Sequence, residues 1–368
     1  MSDGMRVEVS LVLQGGGALG AYEWGAITAL LDRMDAAERE RGHTVVLTGV
    51  TGVSIGAVNA ACLVGAADRD DARARLRKLW EYLRLDAPAL LPTHVQRDLS
   101  LFGLPGFYTP RTDYWNALSW TYFYDTRQML GTLAEHVDFD RLNSSATGLT
   151  VTAVDVRTGR LTRFRNAAAA QRSADQATSL RPAHILASGS LAPQFSWVHI
   201  DGASSYWDGG LVDNTPLGDA IDSFSAGPDV QRLLVVFNLY PLRGRLPTDL
   251  AEVQDRVHEL TFGNRLRQDT RSTERVNQLV ATIEGLAELV PPDAMPDLVR
   301  SAVDRARLYK IVTLVDVDMQ NPSGSTGSGS DQIPTDDSEG LRDFSARTVE
   351  MRRVAGYRIA SEKLAGYL

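Results

Sequence analysis

The chain has 368 residues, 43% hydrophobic and 23% charged, enough for one large or two ordinary domains around a substantial core. Its net charge of −8 argues against a nucleic-acid partner and offers no attraction to anionic lipid. Cys62 is alone, which excludes a disulfide framework and a cysteine zinc cluster, and three lysines leave little room for a Ser–Lys catalytic pair. Residues 1–8 lack a basic region followed by an apolar run, and no segment reaches about 18 uninterrupted apolar residues. The expectation is a cytoplasmic, globular protein.

In chain order, Val7 to Leu13 reads as a buried first strand, and Gln14-Gly15-Gly16-Gly17-Ala18-Leu19-Gly20 follows it at once. Ala21 to Met34 has helical spacing, with Trp24, Ile27, Leu30 and Leu31 on one face. Thr44 to Thr48 is β-favouring and runs into Gly49-Val50-Thr51-Gly52-Val53-Ser54-Ile55-Gly56, and the alanine-rich stretch Ala57 to Ala67 continues as helix. Strand, glycine loop, helix, strand and a second glycine turn make a βαβ unit. Leu76 to Leu83 is helical. The stretch from Leu85 to Asp125 changes character, with four prolines, and residues 80–124 hold 11 of the chain's 27 aromatics. These are either core packing under a long insertion or an apolar lid and acyl-chain wall.

Further on, Leu149–Val156 and Leu161–Phe164 form a hairpin over Thr158-Gly159, and Arg181–Ser188 is a short helix ending at Gly189 with Pro193 soon after. Tyr206-Trp207 leads into Asp208-Gly209-Gly210, and Arg232–Leu239 is a second very apolar strand. Thr248–Leu289 reads as a long charged helix or helix pair, Lys310–Val315 as a late strand, Asn321–Ser330 as a Gly/Ser-rich loop, and Arg347–Leu368 as a closing helix. The acidic stretch Asp316–Glu339 lacks the spacing of a calcium loop. Strands alternating with helices predict a three-layer α/β sandwich with a mainly parallel sheet. The division expected is an α/β catalytic domain over residues 1–245, with the insertion at about 85–125, and a mostly helical extension over 246–368 packed on it.

Three glycine-bearing motifs carry the chemistry. Gly52-x-Ser54-x-Gly56 lies between a predicted strand and helix, the context of a nucleophile elbow, where a sharp turn holds a serine hydroxyl clear of the backbone. Gly15-x-Gly17-x-x-Gly20 matches a dinucleotide fingerprint, but the next strand ends in Leu47-Thr48-Gly49 without the acidic residue a ribose requires. No Gly-Lys-Ser/Thr follows, so it is no P-loop either. The remaining functional reading is an oxyanion hole, since successive glycines can aim two N–H groups at one point. Asp208-Gly209-Gly210 is either a tight turn or a carboxylate carried into a crowded place. The histidines, at 43, 94, 136, 184, 199 and 258, lie in no motif that gives them a role.

Taken in this order, the three motifs resemble the patatin-like phospholipase family over about Val7 to Leu217. Asn59, the segment Ala187-Ser188-Gly189-Ser190-Leu191-Ala192-Pro193 and Asn214-x-Pro216 fit the same pattern, and the C-terminal part looks like an extension of some bacterial members. The resemblance implies a Ser–Asp dyad without histidine, with Ser54 as nucleophile and Asp208 as base. It implies an oxyanion hole from Gly15, Gly16 and Gly17, with Gly20, Gly52, Gly56, Gly209 and Gly210 in support, and no metal or cofactor. The activity implied is hydrolysis of fatty-acyl esters in phospholipid or lysophospholipid, the partners being a lipid substrate and peripherally a membrane surface. One departure is Leu19, where family members often carry Arg or Lys. A carboxylate is a weak base for an alcohol, so burial should raise the pKa of Asp208. The readings set against this are a non-catalytic protein holding a nucleotide or other anion in the glycine loop, and a carboxylesterase for small esters.

Overall fold

β-Branched and leucine-rich runs set the centre of the molecule. The computed structural model describes residues 5–88, 90–202, 204–225, 230–240, 246–247, 250–291, 295–306, 309–319 and 341–368. The first βαβ unit is β1 (Arg6–Leu13), α1 (Gly20–Arg41) and β2 (Thr44–Gly52), and α2 (Ile55–Val64) and α3 (Arg69–Leu83) follow. The insertion holds α4 (Thr93–Asp98) and a two-residue ribbon, β3 (Thr109–Pro110) with β4 (Tyr124–Asp125). Next come α5 (Arg127–His136), α6 (Phe139–Ser144), β5 (Gly148–Asp155), β6 (Leu161–Arg165), α7 (Ala167–Ser173), α8 (Pro182–Ser188), β7 (Val198–Ile200) and β8 (Ser204–Asp208). The chain continues through α9 (Leu217–Asp222), β9 (Val230–Asn238), α10 (Leu250–Glu288), α11 (Asp297–Ala306), β10 (Thr313–Asp318) and α12 (Ala346–Leu364).

The main sheet runs β10-β9-β1-β2-β5-β8-β7, with β6 also on β5. Pairing is parallel from β10 through β5 and antiparallel for β6, β8 and β7. β1 shows why three layers form. Val7, Val9, Leu11 and Leu13 pack into the large core with α1, α2, α3 and α12, while Val12 packs with Leu217, Ala220 and Phe224 on the other face. Both faces are covered, as a parallel sheet requires.

The sheet does not stop at residue 245. β10 lies in register with β9, Thr313 opposite Leu233 to Asp318 opposite Asn238, and α12 lies along α1. The two helices meet at backbone contact. A Cβ on Gly25 would stand 1.9 Å from the Arg353 carbonyl oxygen, and one on Gly356 2.0 Å from that of Tyr22. The Gly/Ser-rich stretch Asn321–Ser330, and the acidic stretch beyond Met319, lie outside the described residues.

The aromatics of the insertion divide into buried and exposed sets. Phe107, Tyr108, Tyr124 and Phe195 form a cluster with ring centroids 5.0–6.4 Å apart, and Phe107 also meets Phe344. Phe102, Tyr114, Trp115 and Phe123 are exposed.

Candidate active site

The C-terminal edge of the parallel strands gathers the three motifs. β1 ends at Leu13, and the buried Gln14 ties its exit to two other segments. Its Oε1 accepts from Leu239 N–H at 2.9 Å, and its Nε2 donates to Thr215 Oγ1 at 2.6 Å. Gly15 donates its N–H to Asn214 Oδ1 at 2.9 Å, and its carbonyl accepts from Asn214 Nδ2 at 3.2 Å and the Tyr240 hydroxyl at 2.6 Å. A Cβ on Gly15 would lie 2.9 Å from Ser54 Cβ, so the glycine loop runs hard against the serine. Gly17 has φ +53° and no room for a side chain beside Leu341. Ala18 donates to the Leu341 carbonyl at 2.9 Å and Leu19 to that of Gly16 at 3.0 Å. Among the described residues, the N–H groups of Gly16 and Gly17 have no acceptor, and both residues line the central cavity.

Ser54 sits at the turn from β2 to α2 with φ 55° and ψ −124°, a backbone conformation that costs a non-glycine residue about 1–3 kcal/mol. Close packing holds it there. Val53 N–H reaches the Leu13 carbonyl at 3.1 Å, a Cβ on Gly56 would stand 2.4 Å from the same oxygen, and Ser54 N–H donates to Ser188 Oγ at 2.9 Å. Asn59, one turn into α2, donates to the Gly20 carbonyl and Glu23 Oε2, each at 3.0 Å, and accepts from Trp80 Nε1 at 2.9 Å. That fixes α2 to both α1 and α3. Glu23 is fully buried, and burial holds its carboxyl well above the usual carboxylate range.

Strand pairing explains how Asp208 arrives. One edge of β5 pairs with β6 over Thr150–Val154, so β2 and β8 must share the other edge. β2 occupies it up to Val151 opposite Gly52, and antiparallel β8 takes over with Asp208 opposite Ala153. The base candidate therefore enters where β2 leaves for the Ser54 turn. Asp208 N–H donates to the Ser190 carbonyl at 3.0 Å, and Asp208 Oδ1 accepts from Gly210 N–H at 2.8 Å. Burial pushes its pKa up to about 7, against the lowering pull of the neighbouring Ser54 side chain and of the Gly210 N–H.

Three of the histidines are engaged elsewhere. The rings of His136, His184 and His199 bond the Thr132 carbonyl, Arg181 N–H and the Trp197–Ser205 pair respectively. His258 stacks on Phe262 and lines the cavity, and the His94 side chain lies outside the described residues. No group of three metal-ligating side chains occurs among the described residues. The cavity has a volume of about 850 Å³ and reaches Gly15–Gly17, Ser54 and Asp208 at its floor. Its walls come from the insertion (Phe102, Phe107, Tyr108), from α10 (Val257, Phe262) and from Phe344.

The structure thus brings Ser54, Asp208 and the glycine loop together. Gly20, Gly52, Gly56 and Gly209 pack the surrounding turns, each with a neighbour where a Cβ would stand. Ser188 and Asn214 lay inside quoted motifs, but their bonds to Ser54 and Gly15 span 134 and 199 residues and have no local signature. Tyr240 carried no signal beyond following a predicted parallel strand.

Comparison with known proteins gives the family. The model of the family described as patatin-like phospholipase matches residues 11–221. Among solved structures, VipD from Legionella pneumophila matches at 14% identity and TM-score 0.40, covering 99% of this chain and 67% of that one. ExoU from Pseudomonas aeruginosa, solved with SpcU, matches at 16% identity and TM-score 0.30, covering 83% and 70%. No curated protein matches the sequence. No helix among the described residues is long and apolar enough to cross a membrane. With its model spanning more than half of the sequence, the chain belongs to the patatin-like phospholipase family and is a lipid acyl hydrolase.

Proposed function

We propose that this hydrolase cleaves fatty-acyl esters of phospholipid or lysophospholipid through a Ser54–Asp208 dyad. Asp208 accepts the Ser54 hydroxyl proton as Oγ attacks the ester carbonyl. The oxyanion is held by the N–H groups of Gly16 and Gly17, because that of Gly15 is committed to Asn214. Gly15 serves instead as the fixed hinge of the loop. The tetrahedral intermediate collapses, protonated Asp208 returns its proton to the leaving alcohol, and water repeats the sequence on the acyl-enzyme. In this reading residues 1–245 supply every reacting group, and residues 246–368 complete the sheet and part of the cavity wall. The place of action is the cytoplasm, peripherally at a membrane surface.

The observation that carries the reading is that Ser54, the buried Asp208 carboxyl and the glycine loop line one cavity, where burial raises the Asp208 pKa to about 7. A base titrating there is half ionised at neutral pH and is better matched to an alcohol proton than an ordinary aspartate. The glycine loop is poorly suited to a nucleotide, since one of its amides and a carbonyl are already bonded within the protein. The test is a fluorophosphonate probe, which should label Ser54 and no residue of Ser54→Ala. Incubation with mixed lipids then identifies the ester that disappears. Absence of labelling in folded protein would overturn the dyad.

A further inference from the structure

Between Leu99 and Tyr124 the sequence carries Arg111 and Asp113 as its two charged residues. They bond each other at 2.6 Å, and the Arg111 guanidinium lies over Trp120 and Tyr122, 4.9 and 4.6 Å from the ring centroids. The segment is therefore electrically closed. It is nonetheless open to solvent: Phe102 is 78% exposed, Trp115 is 88% exposed, and Leu118 is fully exposed. Phe102, Tyr114 and Phe123 line the cavity as well, and so do the exposed Val253 and Val257 of α10. Exposed apolar side chains of the rim, Phe102, Tyr114, Phe123, Val253 and Val257, thus belong to the same cavity that reaches Ser54, and Trp115 and Leu118 extend the exposed stretch next to Tyr114 in the chain. A soluble protein rarely leaves such a surface bare.

Continuity with the cavity and the charge of the rim choose the occupant. A second copy seated on this rim would close the mouth, whereas a lipid layer leaves a chain able to enter it. Exposed Trp and Tyr beside Leu and Phe suit the headgroup–acyl boundary, where one end of the ring is wet. The two charges of this segment are paired and the whole chain stands at −8, so the segment offers no basic patch to draw the protein to anionic headgroups. We propose that the face made by residues 101–123 and the start of α10 docks on a zwitterionic phospholipid surface and presents the cavity mouth to it. The proposal rests on the hydrolase reading above and assigns the surface at which that hydrolase meets its substrate.

The test uses full-length protein carrying Ser54→Ala, so that the lipids stay intact, floated with phosphatidylcholine vesicles. The protein should float with the vesicles, and neither added phosphatidylserine nor raised salt should increase its partition. Trp115→Asp and Leu118→Asp should each lower the partition by at least about tenfold. Both side chains are exposed, so the variants should melt at the parent temperature. No flotation, or equal flotation of the variants, overturns the proposal. So does binding that needs phosphatidylserine and is lost in high salt. A dimer seen by light scattering and broken by Leu118→Asp would assign the face to a second copy instead. Probe labelling of Ser54 in the unmutated protein needs no vesicle. Labelled protein that ignores vesicles therefore rejects the docking face alone, and unlabelled protein that floats rejects the hydrolase reading alone.

Discussion

The two halves of the sheet contribute to the site by different physics. The parallel half, β1 and β2, delivers the glycine loop and Ser54 at strand ends, where open α/β sheets place reactive groups through short local turns. The antiparallel half, β5, β8 and β7, delivers Asp208 because β8 occupies the part of the β5 edge that β2 vacates. One half positions its groups by turn geometry, the other by strand pairing across more than 50 residues of chain. The proposed dyad, Ser54 and Asp208, sits on the seam between them. A site built this way depends on the register of two strands as much as on the residues it uses.

The sharpest test of that division compares one reacting group from each half. Ser54→Ala and Asp208→Asn should each lower kcat/KM for an acyl ester by at least about 10³, and the double variant should be no worse than either. Both changes keep the shape of the side chain, so near-parent melting is expected. If Asp208→Asn kept more than about a tenth of the activity, the antiparallel half would be scaffold and the seam would lose its chemical meaning.

The next largest effect probes the loop against the serine. Gly15→Ala places a Cβ 2.7 Å from Asn214 Oδ1 and 2.9 Å from Ser54 Cβ, and should lower kcat by about 10² through a displaced oxyanion loop. Gly218→Ala, with nothing within 4 Å of the added carbon, is the matched control. Equal rates for the two would show that the loop does not need its tight fit.

The pH dependence reads the seam directly. With the Asp208 pKa near 7, the ionised fraction and hence kcat should rise by about 30-fold from pH 5.5 to 8. Stability runs the other way. The folded-state pKa lies above the unfolded value of 3.8, so the contribution of this group is complete below about pH 4 and is lost as pH rises through 7. Asp208→Asn should therefore be more stable than the parent at pH 8, by up to about 4 kcal/mol in urea unfolding, and equal to it near pH 4. A flat kcat profile over this range would remove Asp208 as the base.

Much of the parallel half was legible in the sequence because its determinants are local. Val7–Leu13 and Arg232–Leu239 are apolar runs of strand length, and their observed spans, Arg6–Leu13 and Val230–Asn238, differ by one or two residues. Gly52-x-Ser54-x-Gly56 is readable since the turn itself excludes Cβ atoms at both glycines. The position of Asp208 came from family resemblance, because Asp-Gly-Gly alone also describes a turn. Ser188 and Tyr240 took on their roles only through tertiary contacts, which have no period to read. The aromatic insertion was ambiguous for another reason: burial of a ring depends on which neighbours fold over it, and the structure buries Tyr108 while leaving Trp115 exposed.

Two smaller effects complete the comparison. From butyryl to decanoyl nitrophenyl esters, below their micelle concentrations, kcat/KM should rise by about tenfold as methylenes leave water for the cavity wall. Phe107→Ala should flatten that rise more than it lowers butyryl hydrolysis, since Phe107 lines the cavity within the aromatic cluster. A flat profile in the parent would point to a small-ester substrate. The least effect is expected at His258, which lines the cavity but belongs to neither half of the sheet. His258→Gln should change kcat by less than about threefold, and loss of Ser54 labelling in that variant would require a triad.

The contact of α1 with α12 sets a timetable for folding during synthesis. β1 leaves the ribosome long before its neighbour β9, which begins at residue 230, and the helix that covers α1 spans residues 346–364. Gly25 and Gly356 allow the helices to meet backbone to backbone, a fit that α12 alone provides in the folded protein. The apolar face of α1 must wait for about 300 further residues, which at 5–20 residues per second is roughly 15–60 s. A nascent chain with that much exposed surface is a natural client for a holding chaperone. A truncation before Ala346 should yield a protein that aggregates rather than a smaller enzyme.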